Sequence, residues 1–134
     1  EKVLNSSLHY QVKSFASIYL ENKNGKMVVH QLPRAAQLSS VTSILVEDFN
    51  KDGNLDAVLA GNLYQSEIET PRNDASRGVF LAGDGKGNFT ALRPAESGIF
   101  IPGDVKNLKR YQLGDETYIL AAKNSDYLQA LKLN

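Results

Sequence analysis

The chain has 134 residues, enough for one folded domain and too few for two of ordinary size. Fifteen basic and fifteen acidic residues cancel, which disfavours a nucleic-acid partner, and no apolar run approaches the roughly 20 residues of a membrane helix. Cysteine is absent, so disulfides, thiol nucleophiles and thiolate metal sites are excluded. Because the chain begins with Glu1 rather than Met, we expect a mature or excised piece of a longer protein.

The first forty residues predict three strands. Alternating apolar residues predict a weak strand over 8–13, and a denser apolar run predicts a firmer one over 15–20. The dipeptide Asn24-Gly25 predicts a tight hairpin turn, because both residues tolerate positive φ values. Residues 27–29 then return as the partner strand.

The middle of the chain predicts four strands separated by turn residues. These strands cover 41–48, 55–60, 78–82 and 89–92. A polar excursion over 63–76 separates the second strand from the third.

The last forty residues predict three further strands, over 105–113, 117–122 and 126–133, after a connection over 95–104. No amphipathic helix is evident anywhere, and short strands at close spacing indicate an all-β domain.

An acidic loop of nine residues joins the strands predicted at 41–48 and 55–60. Side chains that carry oxygen occupy its positions 1, 3, 5, 7 and 9: Asp48, Asn50, Asp52, Asn54 and Asp56. Carboxylates held this close repel one another, and a hard cation such as calcium removes the repulsion. Gly53 at position 6 permits the positive φ that folds such a loop around one point.

The flanks of this loop distinguish it from an EF-hand. Position 12, where an EF-hand has a bidentate Glu, is Leu59, and strands rather than helices flank the loop. We therefore predict a strand, a calcium loop and a second strand. The alternatives are a metal-free turn rich in Asx residues, and a magnesium site, which would prefer a more rigid octahedral ligand set.

The sequence also repeats. Residues 17–33 overlay 78–94 at a spacing of 61, and residues 55–62 overlay 117–124 at a spacing of 62. The repeating unit has four strands, which is the content of one β-propeller blade.

The fold class predicted from this repeat is all-β, built of four-stranded antiparallel propeller blades. Residues 1–134 would form a single propeller segment: 1–40 as a half blade plus an N-terminal strand, 41–94 as a full blade with the calcium loop, and 95–134 as a partial blade. About two blades cannot close a propeller of about 4–8. Blade faces left open would expose apolar surface, so we expect a fragment of a larger propeller or self-association through those faces.

Two stretches resemble the FG-GAP/VCBS repeat family, the calcium-binding blades of integrin-alpha-like β-propellers. They are D-F-N-K-D-G-N-L-D, from Asp48 to Asp56, and the hairpin L-A-G-D-G-K-G-N-F, from Leu81 to Phe89. The resemblance implies one structural Ca²⁺, bound by the side chains of Asp48, Asn50, Asp52 and Asp56 and by the backbone carbonyl of Asn54. The equivalent loop of the last repeat, residues 110–117, lacks these ligands, so we predict no calcium there.

The function expected from this resemblance is a non-enzymatic binding or adhesion module, located outside the cytoplasm as a secreted, periplasmic or cell-surface protein. It would bind a protein or glycan through loops at the propeller rim, and neither nucleic acid nor a membrane span is expected. The polar excursion over 63–76 is the candidate binding loop, flanked by Tyr64, Arg72 and Arg77.

The alternative function is a scaffold or accessory part of a secreted polysaccharide-degrading enzyme. In that case Glu67 and Glu69 could pair with Glu96 or Asp104 for acid–base chemistry. Nothing in the spacing of these residues favours catalysis over a solvated loop.

Overall fold

The computed structural model describes residues 7–133, which form nine β-strands, one 3-10 helix over Arg34–Gln37 and one single-turn helix, α1, over Pro94–Ser97. The all-β prediction is therefore confirmed. The strands are β1 Ile18–Lys23, β2 Lys26–Gln31, β3 Ser43–Glu47, β4 Asp56–Ala60, β5 Val79–Gly83, β6 Phe89–Leu92, β7 Val105–Leu113, β8 Glu116–Lys123 and β9 Gln129–Leu133.

The strands form three separate antiparallel sheets that follow one another along the chain. Their orders are β1-β2, β3-β4-β5-β6 and β7-β8-β9, so neighbours in each sheet are also neighbours in sequence. None of the three sheets closes on itself. Within residues 7–133, no helix has the length and apolar character needed to cross a membrane.

Most predicted strands are found close to their predicted limits, and the predicted hairpin turn is confirmed. Asn24 and Gly25 have φ values of 53° and 84° between β1 and β2, and the Asn22 side-chain oxygen accepts a 2.8 Å hydrogen bond from the Gly25 N–H. The strand predicted over 15–20 begins only at Ile18 and runs on to Lys23.

The weak strand predicted over 8–13 is wrong. These residues belong to no strand, and Leu8, Tyr10 and Val12 are 77%, 89% and 62% exposed. Alternating apolar residues favour a strand only where a sheet surface is present to receive them.

The sequence did not predict the short helix α1. Its first residue is Pro94, and the Glu96 carboxylate accepts a 2.9 Å bond from the Arg93 N–H, which caps the turn.

The core lies on both faces of the four-stranded sheet. All five residues of β4 are buried, without the alternation of a half-exposed strand. On one face, Val58 and Phe80 share a cluster with Ile119 of the third sheet. On the other face, Leu59 and Leu81 share a cluster with Ala36 of the 3-10 helix. Since both faces are covered, the continuous apolar run of β4 follows directly.

The β1-β2 hairpin covers only part of that second face. Tyr19 points inward and meets Phe89 edge-on, with ring centroids 5.7 Å apart. The opposite face of the hairpin carries exposed apolar side chains: Ile18, Leu20, Met27 and Val29. One end of the stack of sheets therefore presents an open apolar surface.

Replacing Leu81 by Ala should lower the free energy of unfolding by about 2–5 kcal/mol, because the side chain is 1% exposed at the centre of the four-stranded sheet. Leu128→Ala is the matched control, since Leu128 is 63% exposed, and it should change stability by no more than about 0.5 kcal/mol. Urea unfolding of both variants measures the difference. Equal losses would contradict the two-sided core.

Candidate metal site

The acidic loop connects β3 to β4, and the paired ends of these two strands form its base. Glu47, the last residue of β3, pairs with Asp56, the first residue of β4. Between them, Lys51 and Gly53 have φ values of 61° and 90°, so the backbone reverses through two left-handed residues. The predicted positive φ at Gly53 is confirmed.

Three predicted ligands lie together at the exposed end of the loop. The Asp48 carboxylate accepts hydrogen bonds from the N–H groups of Asp52 and Gly53, at 3.1 and 2.9 Å. The Asn50 side-chain oxygen accepts a 2.9 Å bond from the same Asp52 N–H, and the Asn50 amide donates to the Asp52 carboxylate at 2.9 Å. The loop thus gathers oxygen-bearing side chains by hydrogen bonds to its own backbone.

The charge of Asp52 is stabilised by its neighbours. The Asn54 N–H donates to the Asp52 carboxylate at 2.8 Å. This bond and the bond from the Asn50 amide hold the pKa of Asp52 below its ordinary value, because both donors stabilise the ionised form. The Asp52 carboxylate therefore stays ionised at pH values well below neutral.

Asp56 lies apart from this group, at the buried base of the loop, with no exposed surface. One carboxylate oxygen accepts hydrogen bonds from the N–H groups of Phe49 and Asn50, at 3.1 and 3.4 Å. The other accepts a 3.0 Å bond from the N–H of Gly83, at the end of β5. Asp56 therefore joins the start of the loop, β4 and the next strand.

Gly83 is required at this position. A Cβ atom there would lie 2.1 Å from the backbone oxygen of Leu55, inside the closest contact of real side chains. Only glycine lets β5 approach the end of the acidic loop closely enough for its N–H to reach Asp56.

The donor chemistry of the loop fits a hard cation, since every candidate ligand is an oxygen. Among residues 7–133, however, no three His, Asp or Glu side chains are grouped so that they could hold a metal ion. A carboxylate has about four lone-pair sites, and Asp56 uses three of its own on backbone N–H groups. The predicted set of Asp48, Asn50, Asp52, Asp56 and the Asn54 carbonyl therefore stays a prediction.

Asn62 is a buried polar residue whose role sequence reasoning missed. Its amide donates to the backbone oxygens of Ser76 and Gly103, both at 2.9 Å, and its oxygen accepts a 3.1 Å bond from the Ser76 N–H. It fastens both ends of the 63–76 excursion to the segment that enters the third sheet. The repeat held part of the signal, because Asn124, 62 residues later, also donates its side-chain amide to the segment that enters the third sheet, at the Asp104 carboxylate, 3.4 Å away.

The 63–76 excursion is an exposed loop with a local organisation of its own. Leu63 and Asn73 form an isolated antiparallel bridge. The Arg72 guanidinium lies 4.6 Å from the centre of the Tyr64 ring and forms a 2.9 Å ion pair with Asp74. Arg77 does not join this group, since its guanidinium lies over Phe100.

Two of the carboxylates considered for acid–base chemistry, Glu96 and Asp104, are engaged by cations. Arg93 forms a 2.7 Å hydrogen bond with Glu96 that lowers the pKa of Glu96 to about 2. Asp104 is buried, with one oxygen 2.7 Å from the Lys106 ammonium, an ionic contact without an aligned hydrogen bond. With a pKa of about 2, Glu96 is a poor general acid at neutral pH.

Comparisons of the chain with protein-family models, curated proteins and solved structures found no match.

Asp56→Asn should lower the free energy of unfolding by about 1–3 kcal/mol, because an amide NH₂ would replace one acceptor oxygen and leave a buried backbone N–H without its partner. Asp52→Asn is the matched control, since it removes the same charge from the exposed part of the same loop. Urea unfolding in the presence of a chelator separates this effect from any calcium binding. A larger loss in Asp52→Asn would contradict the role given to Asp56.

Proposed function

We propose that this chain is a calcium-stabilised β-repeat module that acts outside the cytoplasm as a non-enzymatic binding protein. The observation that carries the proposal is the acidic loop itself. Asp48, Asn50 and Asp52 converge through shared hydrogen bonds at the exposed end of a turn between two strands. Negative oxygens held together without a counter-cation repel, so this is where a calcium ion stabilises the fold most.

The proposed architecture is a segment of an FG-GAP/VCBS-like β-propeller. Its support is the antiparallel order β3-β4-β5-β6 and the packing of other elements on both faces of that sheet. A blade within a propeller is covered in the same way by its two neighbours. Residues 41–94 would then be one full blade, preceded by half a blade and followed by part of another.

The proposed role of the ion is structural. Calcium would bind the oxygens of Asp48, Asn50 and Asp52, together with the Asn54 carbonyl, and supply the positive charge that the loop lacks. Asp56 would contribute its remaining lone pair while its other bonds keep the loop attached to β5. The loop would become more rigid when calcium binds, because the ion would remove the repulsion between the carboxylates and hold their oxygens at fixed distances.

The proposed binding surface is the 63–76 loop. The pair formed by Tyr64 and Arg72 places an aromatic ring beneath a guanidinium on an exposed loop, 4.6 Å apart. An aromatic face with adjacent charged donors suits the apolar face and hydroxyl groups of a sugar, and suits an acidic peptide equally. Asn62 holds both ends of this loop in place from beneath.

Isothermal titration calorimetry should detect one calcium ion per chain, and chelation should lower the melting temperature. Calcium at about 100 times its dissociation constant would add about 2.7 kcal/mol of stability. A double variant, Asp48→Asn with Asp52→Asn, should abolish the heat of binding. Asp115→Asn, in the corresponding turn of the last repeat, is the matched control and should bind as the parent does. No heat and no melting shift in the parent would contradict the calcium proposal.

A panel of polysaccharides and acidic peptides tests the binding surface. The calcium-loaded protein should retain at least one of them, and Tyr64→Ala should lose that binding without a change in melting temperature. Tyr127→Ala is the control, because Tyr127 is a tyrosine that is 90% exposed and lies outside this loop. Release of reducing ends from a retained polysaccharide, abolished by Glu67→Gln or Glu69→Gln in a folded protein, would favour the enzymatic alternative.

A further inference from the structure

A groove lies between the end of β2 and the turn that leads into β6. Residues 29–33 form one wall and residues 87–89 form the other. The volume of the groove is about 520 Å³, within the roughly 300–1,000 Å³ of ligand clefts.

The position of this groove in the repeat leaves it open in a longer propeller. Residues 17–33 overlay 78–94, so β2 corresponds to β6, which is an edge strand of its sheet. In the proposed blade arrangement, further strands of the first blade would pair with β1, and β2 would remain at the outer edge.

The His30 ring lines this groove in an orientation that its neighbours fix. Its Nε2 atom lies 2.9 Å from the Glu21 carboxylate, which also forms a 3.0 Å ion pair with Lys23. The Tyr19 ring lies beside the imidazole, with ring centroids 5.7 Å apart. The imidazole is therefore oriented before a ligand binds, which lowers the entropic cost of binding.

The charge of Glu21 determines which nitrogen of His30 accepts a hydrogen bond. The hydrogen bond from Lys23, and then that from His30, lower the pKa of Glu21, although desolvation acts in the opposite direction. Because an ionised carboxylate only accepts hydrogen bonds, Nε2 of the neutral imidazole carries the proton and Nδ1 is an acceptor. Nδ1 forms no hydrogen bond with residues 7–133. Within that range Asp104 Oδ1 is the one side-chain polar atom that is buried without a hydrogen bond, so Nδ1 of His30 is accessible to a ligand.

Asn88 supplies a second acceptor, on the opposite wall of the groove. Its side-chain amide donates a 2.7 Å hydrogen bond to the Asp84 carboxylate, which also accepts a 3.0 Å bond from the Asn88 N–H. These two bonds fix the position of the side chain and leave its oxygen as an acceptor for a ligand. Gln31 also lines the groove and is exposed, and its amide can donate or accept.

The lining of the groove favours an uncharged ligand. Among the described residues it contains no Asp, Glu, Lys or Arg, so it offers no charged partner to an acidic peptide or to a polyamine. Apolar residues alternate with the polar ones along it: Val29, Leu32, Pro33 and Phe89. A neutral sugar matches this surface, because its hydroxyl groups donate hydrogen bonds while its C–H faces contact apolar side chains.

We infer that the groove binds a neutral sugar, with His30 Nδ1 and Asn88 Oδ1 as acceptors for its hydroxyl groups and the apolar residues against its C–H face. Glu21 is a positioning residue, because it acts on the ligand through His30. The inference depends neither on calcium nor on the 63–76 loop, which does not line the groove.

NMR of the imidazole nitrogens tests the inference in the intact protein. At a pH at which the ring is neutral, His30 should carry its proton on Nε2. Glucose, galactose, mannose, N-acetylglucosamine and the disaccharides built from them are then added in turn. At least one should shift the His30 Nδ1 resonance to saturation and leave His9, which does not line the groove, unchanged. A neutral ring protonated on Nδ1, or a His30 resonance that no sugar moves, would overturn the inference.

Two variants separate this groove from the 63–76 loop. His30→Phe keeps an aromatic ring beside Tyr19 but removes both ring nitrogens, and it should weaken binding of the active sugar by about 10-fold, measured by calorimetry. Tyr64→Ala is the control and should bind that sugar as the parent does. Circular dichroism verifies that both variants fold. Unchanged binding by His30→Phe, or a loss confined to Tyr64→Ala, would place the sugar elsewhere and overturn the inference.

Discussion

The buried carboxylate of Asp56 is the contact on which the acidic loop and its sheet depend. Transfer of an ionised carboxylate out of water is costly unless hydrogen bonds replace its hydration. Asp56 receives those bonds from the backbone N–H groups of Phe49, Asn50 and Gly83. A single side chain thereby fixes where the loop begins, where β4 begins and where β5 ends. The ligands at the exposed end of the loop are positioned because this base is fixed.

The second constraint is the coverage of the central sheet from both sides. Since β4 has no solvent-facing side, its residues after Asp56 are all apolar, and the two flanking sheets are needed to complete the fold. Asn62 extends this dependence to the long loop, because its amide bonds both Ser76 and Gly103. Hydrogen bonds of Asp56 and of Asn62 thus attach the proposed calcium loop and the proposed binding loop near opposite ends of β4. At the hairpin end the coverage is incomplete, since Ile44 and Val46 stay about half exposed.

Sequence alone predicted the elements whose pattern is local. The Asn24-Gly25 turn, the strand at 105–113 and the positive φ of Gly53 depend on residues within a few positions of one another, and all three are found. The weak strand at 8–13 failed because strand formation needs an edge to pair with, which local alternation does not reveal. The helix α1 was missed because a single turn has too few residues for a helical period.

The sequence predicted which residues make up the acidic loop, but not how their side chains are arranged. Spacing along the chain shows that Asp48, Asn50, Asp52, Asn54 and Asp56 can face one point, yet it does not show which of them do. One of the bonds that hold Asp56 at the base of the loop comes from Gly83, 27 residues away. Such a partner cannot be read from a motif of nine residues. The same holds for Asn62, whose partner Gly103 lies 41 residues further along the chain.

A crystal structure of the protein grown with calcium, with anomalous data, would show directly whether the acidic loop binds the ion. We expect one anomalous peak in the acidic loop, about 2.3–2.6 Å from oxygens of Asp48, Asn50 and Asp52 and from the Asn54 carbonyl. Asp56 should keep its bond to the Gly83 N–H. The calcium site would be contradicted if the loop showed no peak at saturating calcium and Asp48 and Asp52 kept their hydrogen bonds to the loop backbone.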